Sequence, residues 1–127
     1  MNQITASRKA KGSTAYSAGG MGEDSVSRDY LARGYALIAS RWRGKSGEID
    51  LIMQRDNEYI FIEVKKSASH RQAAERIDRR QMDRICHAAL EFCGGQADGL
   101  MTLMRFDAAL VDHTGRVEVI ENAFGMA

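Results

Sequence analysis

Asp50, Glu63 and Lys65 stand inside an otherwise apolar run, GEIDLIMQRDNEYIFIEVKK, from Gly47 to Lys66. Strand interiors avoid charge, so these three residues need either partners or a chemical task. The run reads as two strands joined at Asp56-Asn57, a pair suited to a primed two-residue hairpin loop. That loop sets Arg55 against Glu58, Asp50 against Glu63 and Glu48 against Lys65. A four-residue loop about the same centre gives the same register. Facing side chains have Cβ atoms about 4.5–5.5 Å apart, and like charges placed so destabilise the pair. Two carboxylates there require a cation, a shared proton or a splayed strand end reaching water. By alternation Asp50, Glu63 and Lys65 share one face, while Ile60, Ile62 and Val64 take the other.

Such a face suits a hard divalent cation. Mg²⁺ takes oxygen ligands and is typically held by one or two carboxylates together with substrate phosphate and water. A bound ion of this kind lowers the pKa of a coordinated water and stabilises charge on a phosphate during in-line displacement. A lysine two residues after the second acid can orient that water or offset developing charge. The plainer reading is a Glu48–Lys65 surface ion pair with both acids at strand ends. It suffices for Glu-x-Lys alone, a common tripeptide, but not for that tripeptide in register with Asp50.

The elements that must position these residues are legible in outline. Residues 1–20 are small, polar and rich in Gly and Ser, and are expected to form a mobile basic arm before a single domain over 21–127. GEDSVSRDYLARG reads as a helix, with Glu23 and Asp24 in its first turn and Gly34 as its stop. YALIASRWR is a first strand, GEIDLIMQR and EYIFIEVKK are the second and third. Ser69 with Gln72 has capping-box spacing, and one long helix is expected from there to about Phe92. CGGQADG breaks it. LMTLMRFDAALVD is a fourth strand and RVEVIEN a fifth. The order α-β-β-β-α-β-β predicts helices against a mixed sheet, an α+β or α/β sandwich.

The helices carry further candidates. Ile77, Ile85, Ala88, Ala89 and Phe92 form an inward stripe at helical spacing, and Gln81 sits within it. A polar residue on a core face must find a partner; Gln81 either meets the charged face of the hairpin or lies at the rim. Arg76, Arg80 and Arg84 form a row spaced by four, a phosphate track or simply a solvated face. Glu23 is a further metal ligand or a plain helix-start acid.

Composition limits the classes. The 127 residues fit one domain, and 28% are charged. Net charge is +1, too weak to mark a nucleic-acid binder by itself. It is uneven, however: residues 65–84 carry seven cations against three acids, and residues 98–127 five acids against two arginines. Cys86 and Cys93 make no disulfide framework or CxxC pair, and His70, His87 and His113 have no metal-binding spacing. With no secretory h-region and no membrane-length apolar run, a reduced, cytoplasmic setting is expected.

GEIDLI followed by FIEVKKS resembles the D-(E)xK core of the restriction-endonuclease-like superfamily. More closely, the chain resembles the YraN-like family of small bacterial proteins, described as uncharacterised and endonuclease-related. The likeness covers about residues 22–125 and includes Gly22-Glu23, YLARGY, Arg41 with Arg43, GEIDLI, FIEVK, RICHAALEF, RFDAALVD and ENAF. It implies a restriction-endonuclease-like fold akin to Holliday-junction resolvases. It implies Asp50 and Glu63 as ligands of Mg or Mn, with the Val64 carbonyl and Glu23 as further ligands and Lys65 as the catalytic lysine. DNA or RNA phosphodiesters are the implied substrates, branched or otherwise structured DNA among them. Gln81, Arg43, Arg76, Arg80 and Lys66 are then the expected nucleic-acid contacts. Where the family commonly has a lysine three residues before Arg84-Ile85, this chain has Gln81, which removes a charge near the metal. A non-catalytic nucleic-acid-binding module keeping the fold is the alternative, and a protein-interaction domain with a vestigial acid pair is a third. A homodimer would suit two cuts in a duplex.

Overall fold

The structure, a computed structural model, describes residues 18–97 and 99–124. Helix α1 (Ala18–Ala32) leads into strands β1 (Ala36–Arg43), β2 (Glu48–Arg55) and β3 (Glu58–Lys66). Two helices follow, α2 (His70–Ala74) and α3 (Arg79–Gly94), then a 3₁₀ turn (Gly99–Met101) and strands β4 (Leu103–Val111) and β5 (Val117–Ile120). The expected arm lies largely outside the described residues, and Ala18–Gly20 belong to α1. Among the described residues no helix is long and apolar enough to cross a membrane.

The five strands form one sheet in the order β1-β2-β3-β4-β5. Only β3 and β4 run parallel; the other neighbours are antiparallel, so the sheet is mixed as expected. The hairpin register is the one read from the sequence, with Arg55 opposite Glu58 and Leu51 opposite Ile62. Asp56 turns the chain with φ of 56°, the left-handed region that Asp tolerates in tight turns.

Alternation sorts the strand residues to two cores. Leu51, Met53, Ile60 and Ile62 pack with Val26, Tyr30 and Tyr35 on the α1 side. Ile52, Phe61 and Phe106 pack with Ile85, Ala88, Ala89 and Phe92 on the α3 side. Phe92 anchors α3, meeting Trp42, Tyr59 and Phe61 edge-on at centroid distances of 5.5, 5.2 and 5.9 Å. Cys86 and Cys93 are unpaired and buried in the same core.

The single long helix expected after Ser69 is in fact two. Ser69 does cap α2, its side chain accepting from the Gln72 N–H at 3.2 Å. The chain then turns at Glu75–Ile77, and Asp78 starts α3 by accepting from the Gln81 N–H at 2.9 Å. A capping side chain offers the backbone an alternative to helix continuation. Ile77 therefore lies outside the stripe it was assigned to, and Arg76 does not share a helix with Arg80 and Arg84. Replacing Asp78 by Ala is expected to cost about 1 kcal/mol of stability. Urea unfolding of Asp78→Ala against wild type measures this. Asp78→Ser should recover most of the loss.

Candidate metal centre at the end of the hairpin

The α3 side of the sheet carries Glu63 and Lys65 at the carboxyl end of β3. Val64, between them, packs on the opposite core. This is the alternation the sequence required. Strand β2 departs from it at Asp50. Ile49 and Ile52, three residues apart, both face the α3 core, while Leu51 faces the α1 core. Their partners Trp42 and Ala39, also three apart, pack against that same α3 core. Both strands thus lose one step of alternation at the same level, and Arg41, between Ser40 and Trp42, has φ of 52°. A left-handed non-glycine residue costs on the order of 1–3 kcal/mol, and such strain concentrates at functional sites.

The kink turns Asp50 along the strand ends. Its Oδ2 accepts the Val64 N–H at 2.8 Å, and the paired β2–β3 register stops at Leu51 and Ile62. The carboxylate stands in for the main-chain carbonyl that a continued ladder would offer. Glu63 is 5% exposed. Its Oε2 accepts from Lys65 Nζ at 2.9 Å and from Gln81 Nε2 at 2.6 Å, and Lys65 Nζ donates to Gln81 Oε1 at 2.6 Å. Gln81 therefore bridges acid and base, and the cap at Asp78 fixes its helical turn. Of the two readings left open for Gln81, the partner across the sheet is the observed one.

Burial, followed by the negative charge of Asp50, pushes the Glu63 carboxyl up to about 7 despite the opposing pull of Lys65. Two carboxylates forced together, one of them poised to give up its proton near neutrality, match the donor set of a hard cation. A cavity of about 230 Å³ opens beside them, lined by Gly47, Glu48, Asp50, Glu63, Gln81 and Arg84, among others. The residues present fit a divalent ion held through Asp50 and Glu63.

The other sequence candidates are more dispersed. Glu23 is held by Arg41, whose Nε donates to its Oε1 at 3.0 Å. Burial, with Asp50 and Glu48 nearby, raises the Glu23 pKa. Glu23 thus stands within electrostatic reach of Asp50 but is turned to the arginine. Among the described residues no three His, Cys, Asp or Glu side chains are gathered as a metal cluster. Arg43 pairs with Glu48 at 3.6 Å on the exposed β1 end. Arg76 donates to the Lys66 carbonyl at 3.2 Å, Arg80 is exposed, and Lys66 belongs to a different cavity on the α1 side.

Sequence reading missed Arg41 as a site residue and Glu91 as a support. From α3, Glu91 accepts from the Ser46 hydroxyl at 2.5 Å and from the N–H groups of Lys45 and Ser46 at 2.7 and 3.0 Å, and these bonds, the hydroxyl's first, lower its pKa. This pins the β1–β2 loop to α3 and fixes the entry to Gly47 and Glu48. A Cβ at Gly44 would strike that same carboxylate and the Trp42 ring. The signal for Arg41 was a charged residue in register with Asp50 across β1 and β2. It becomes visible only once that pairing is known.

The model of the uncharacterised protein family UPF0102 matches residues 22–111, which hold most of the first helix and the whole hairpin. The chain belongs to UPF0102. A UPF0102 protein of Cereibacter sphaeroides is 58% identical over 113 residues, covering 89% of this chain and 97% of that protein. One from Ruegeria pomeroyi is 52% identical over 116 residues, covering 91% and 94%. One from Dinoroseobacter shibae is 40% identical over 122 residues, covering 96% and 91%. This is the YraN-like family indicated by the sequence motifs, and its description names no activity.

Proposed function

We propose that this UPF0102 protein is a Mg- or Mn-dependent nuclease with a restriction-endonuclease-like fold, hydrolysing phosphodiester bonds of structured or branched DNA. One observation carries the reading: the Asp50 and Glu63 carboxyls meet at an open cavity with the Lys65 ammonium 2.9 Å from Glu63. A divalent ion bound there would supply Lewis acidity and charge neutralisation toward the phosphate. Asp50 and Glu63 would hold it, with the Val64 carbonyl as a main-chain candidate. Lys65 sets a fixed positive charge beside the reacting phosphate and orients water. Gln81 donates to Glu63 and accepts from Lys65, which holds the acid and the base together without a further charge. Arg84 on the cavity wall offers a phosphate contact.

The test is cleavage of plasmid, junction and flap DNA with each metal. Lys65→Ala is expected to lose about a hundredfold in rate or more, the scale of removing one preorganised charge partner. Metal-dependent cleavage that survives Lys65→Ala unchanged overturns the assignment. A second reading, a binding module without turnover, is favoured by the engagement of Lys65 with both Glu63 and Gln81. It predicts salt-sensitive binding and no metal-dependent product.

A further inference from the structure

A second cavity, of about 500 Å³, opens on the α1 side of the sheet at the carboxyl ends of the parallel strands β3 and β4. In α/β sheets such strand ends are where ligands bind. Its walls include Gly22 and Ser25 of α1, Lys66 and Ser67 after β3, and His113 and Thr114 in the β4–β5 turn. The volume lies within the range of small-ligand pockets. The metal-centre residues Glu63 and Lys65 lie on the other face of β3, and Lys66 is the next residue along. A chain passing over the end of β3 would thus meet both sites in succession.

The chemistry of the walls selects the ligand. Lys66 forms no ion pair among the described residues, while its aliphatic stem lies across Gly22. A Cβ at Gly22 would come within 2.5 Å of Lys66 Cδ, so the glycine lets helix and lysine approach. Arg76, outside the cavity wall, donates to the Lys66 carbonyl at 3.2 Å and holds the end of β3. One oxygen of the acid in the turn is occupied within it: Asp112 Oδ1 accepts from Thr114 N, Thr114 Oγ1 and Arg116 N at 2.9, 2.7 and 3.0 Å, while Oδ2 lies 3.8 Å from His70 Nε2. His113 is held by its Nδ1, 2.9 Å from the Ala68 carbonyl. The cavity thus combines an ammonium with no ion pair among the described residues, the Ser25 hydroxyl and a planar imidazole, a set suited to one phosphate and one base. A net charge of +1 leaves little general attraction for a polyanion. Local recognition must then supply the binding. A base stacked in a duplex cannot enter a cavity of this kind, whereas an unpaired one can.

We infer that this cavity receives a single unpaired nucleotide of the substrate strand, with Lys66 at its phosphate. The inference rests on the nucleic-acid substrate of the proposed function, and names the feature of that substrate this chain reads. Fluorescence anisotropy in EDTA compares a blunt DNA duplex with the same duplex bearing a single-stranded tail. Wild type should bind the tailed form about tenfold more tightly, within what one stacked base is worth. Ser25→Trp, which fills the cavity from α1, and Lys66→Gln should each bring that preference close to unity. Both variants are first checked for wild-type thermal unfolding. If Ser25→Trp fails that check, Lys66→Gln alone decides. A folded variant that keeps the full preference overturns the inference, as does a wild type that binds both DNAs equally. No cleavage is read here, so failure of the nuclease chemistry appears separately, as loss of metal-dependent product with tail binding intact.

Discussion

Asp50→Asn is expected to lose divalent-dependent cleavage by about a thousandfold, the several kcal/mol that metal stabilisation supplies, while making the metal-free fold more stable at pH 8. The two effects have one origin. Asn keeps an oxygen to accept the Val64 N–H, so the bond at 2.8 Å has a replacement. It removes the charge that, after burial, pushes Glu63 up to about 7. A folded carboxyl with a raised pKa binds a proton that the unfolded chain has already released. Its contribution is therefore fully present below the ordinary value of 4.5 and is lost as pH rises to about 7. Metal-free wild type should lose stability across that window and level off above it. In Asp50→Asn the loss should shrink, leaving a gain of about 1 kcal/mol at pH 8, less than one pKa unit's worth. Added Mg²⁺ or Mn²⁺ should raise the wild-type melting temperature and leave the variant's unchanged, because a ligand stabilises only the fold that binds it. Urea titrations at pH 5 and 8, with and without metal, check each statement. An Asp50→Asn protein as metal-responsive as wild type would remove Asp50 from the site.

The largest stability effect is expected at Asp107, on the opposite face of the sheet from the proposed chemistry. This carboxylate is fully buried on the α1 side, yet every contact is made. Arg105 donates to both its oxygens at 2.9 Å, the Tyr30 hydroxyl to Oδ2 at 2.6 Å and the Asn122 N–H to Oδ1 at 2.9 Å. Arg105 also donates to the Tyr35 hydroxyl at 3.0 Å, and Arg55 stacks over the Tyr35 ring at 4.1 Å. Removing Asp107 strands a half-buried guanidinium, a phenol and an N–H together. Asp107→Ala should cost about 3–5 kcal/mol, the range for breaking one side of a buried pair. That is a large share of the roughly 5–15 kcal/mol that holds a domain of this kind together. Tyr30→Phe removes one donor and should cost about 1–2 kcal/mol. Equilibrium urea unfolding measures both. The network ties α1 to β4, and α1 carries Gly22 and Ser25, so the cavity at Lys66 depends on it.

Much of the site was legible in the hairpin. Period-2 alternation is a local property, and a two-residue turn sets register without help from the rest of the chain. Glu63 and Lys65 were therefore assigned to the right face, with Ile60, Ile62 and Val64 opposite, and the pairing of Arg55 with Glu58 followed from the turn. The break between α2 and α3 was also written locally, since Asp78 and Gln81 repeat the spacing of Ser69 and Gln72. It was overridden by the apolar period running through Ile77. Asp107 gave no such signal. An acid in an apolar strand looks the same whether it faces water or, as here, a tyrosine 77 residues away.

The sequence alone determined the succession of the five strands, the hairpin and its register, the family, and the pair of acids with a lysine that define the candidate chemistry. These follow from short-range rules of turn, cap and alternation. The tertiary structure decided how those residues meet. The paired kink at Arg41 and Asp50, the Gln81 bridge, the Glu91 clamp and the cavity at Lys66 each join segments distant in the chain. Packing two helices on a twisted sheet creates such contacts, and no local pattern encodes which side chains the packing brings within bonding distance.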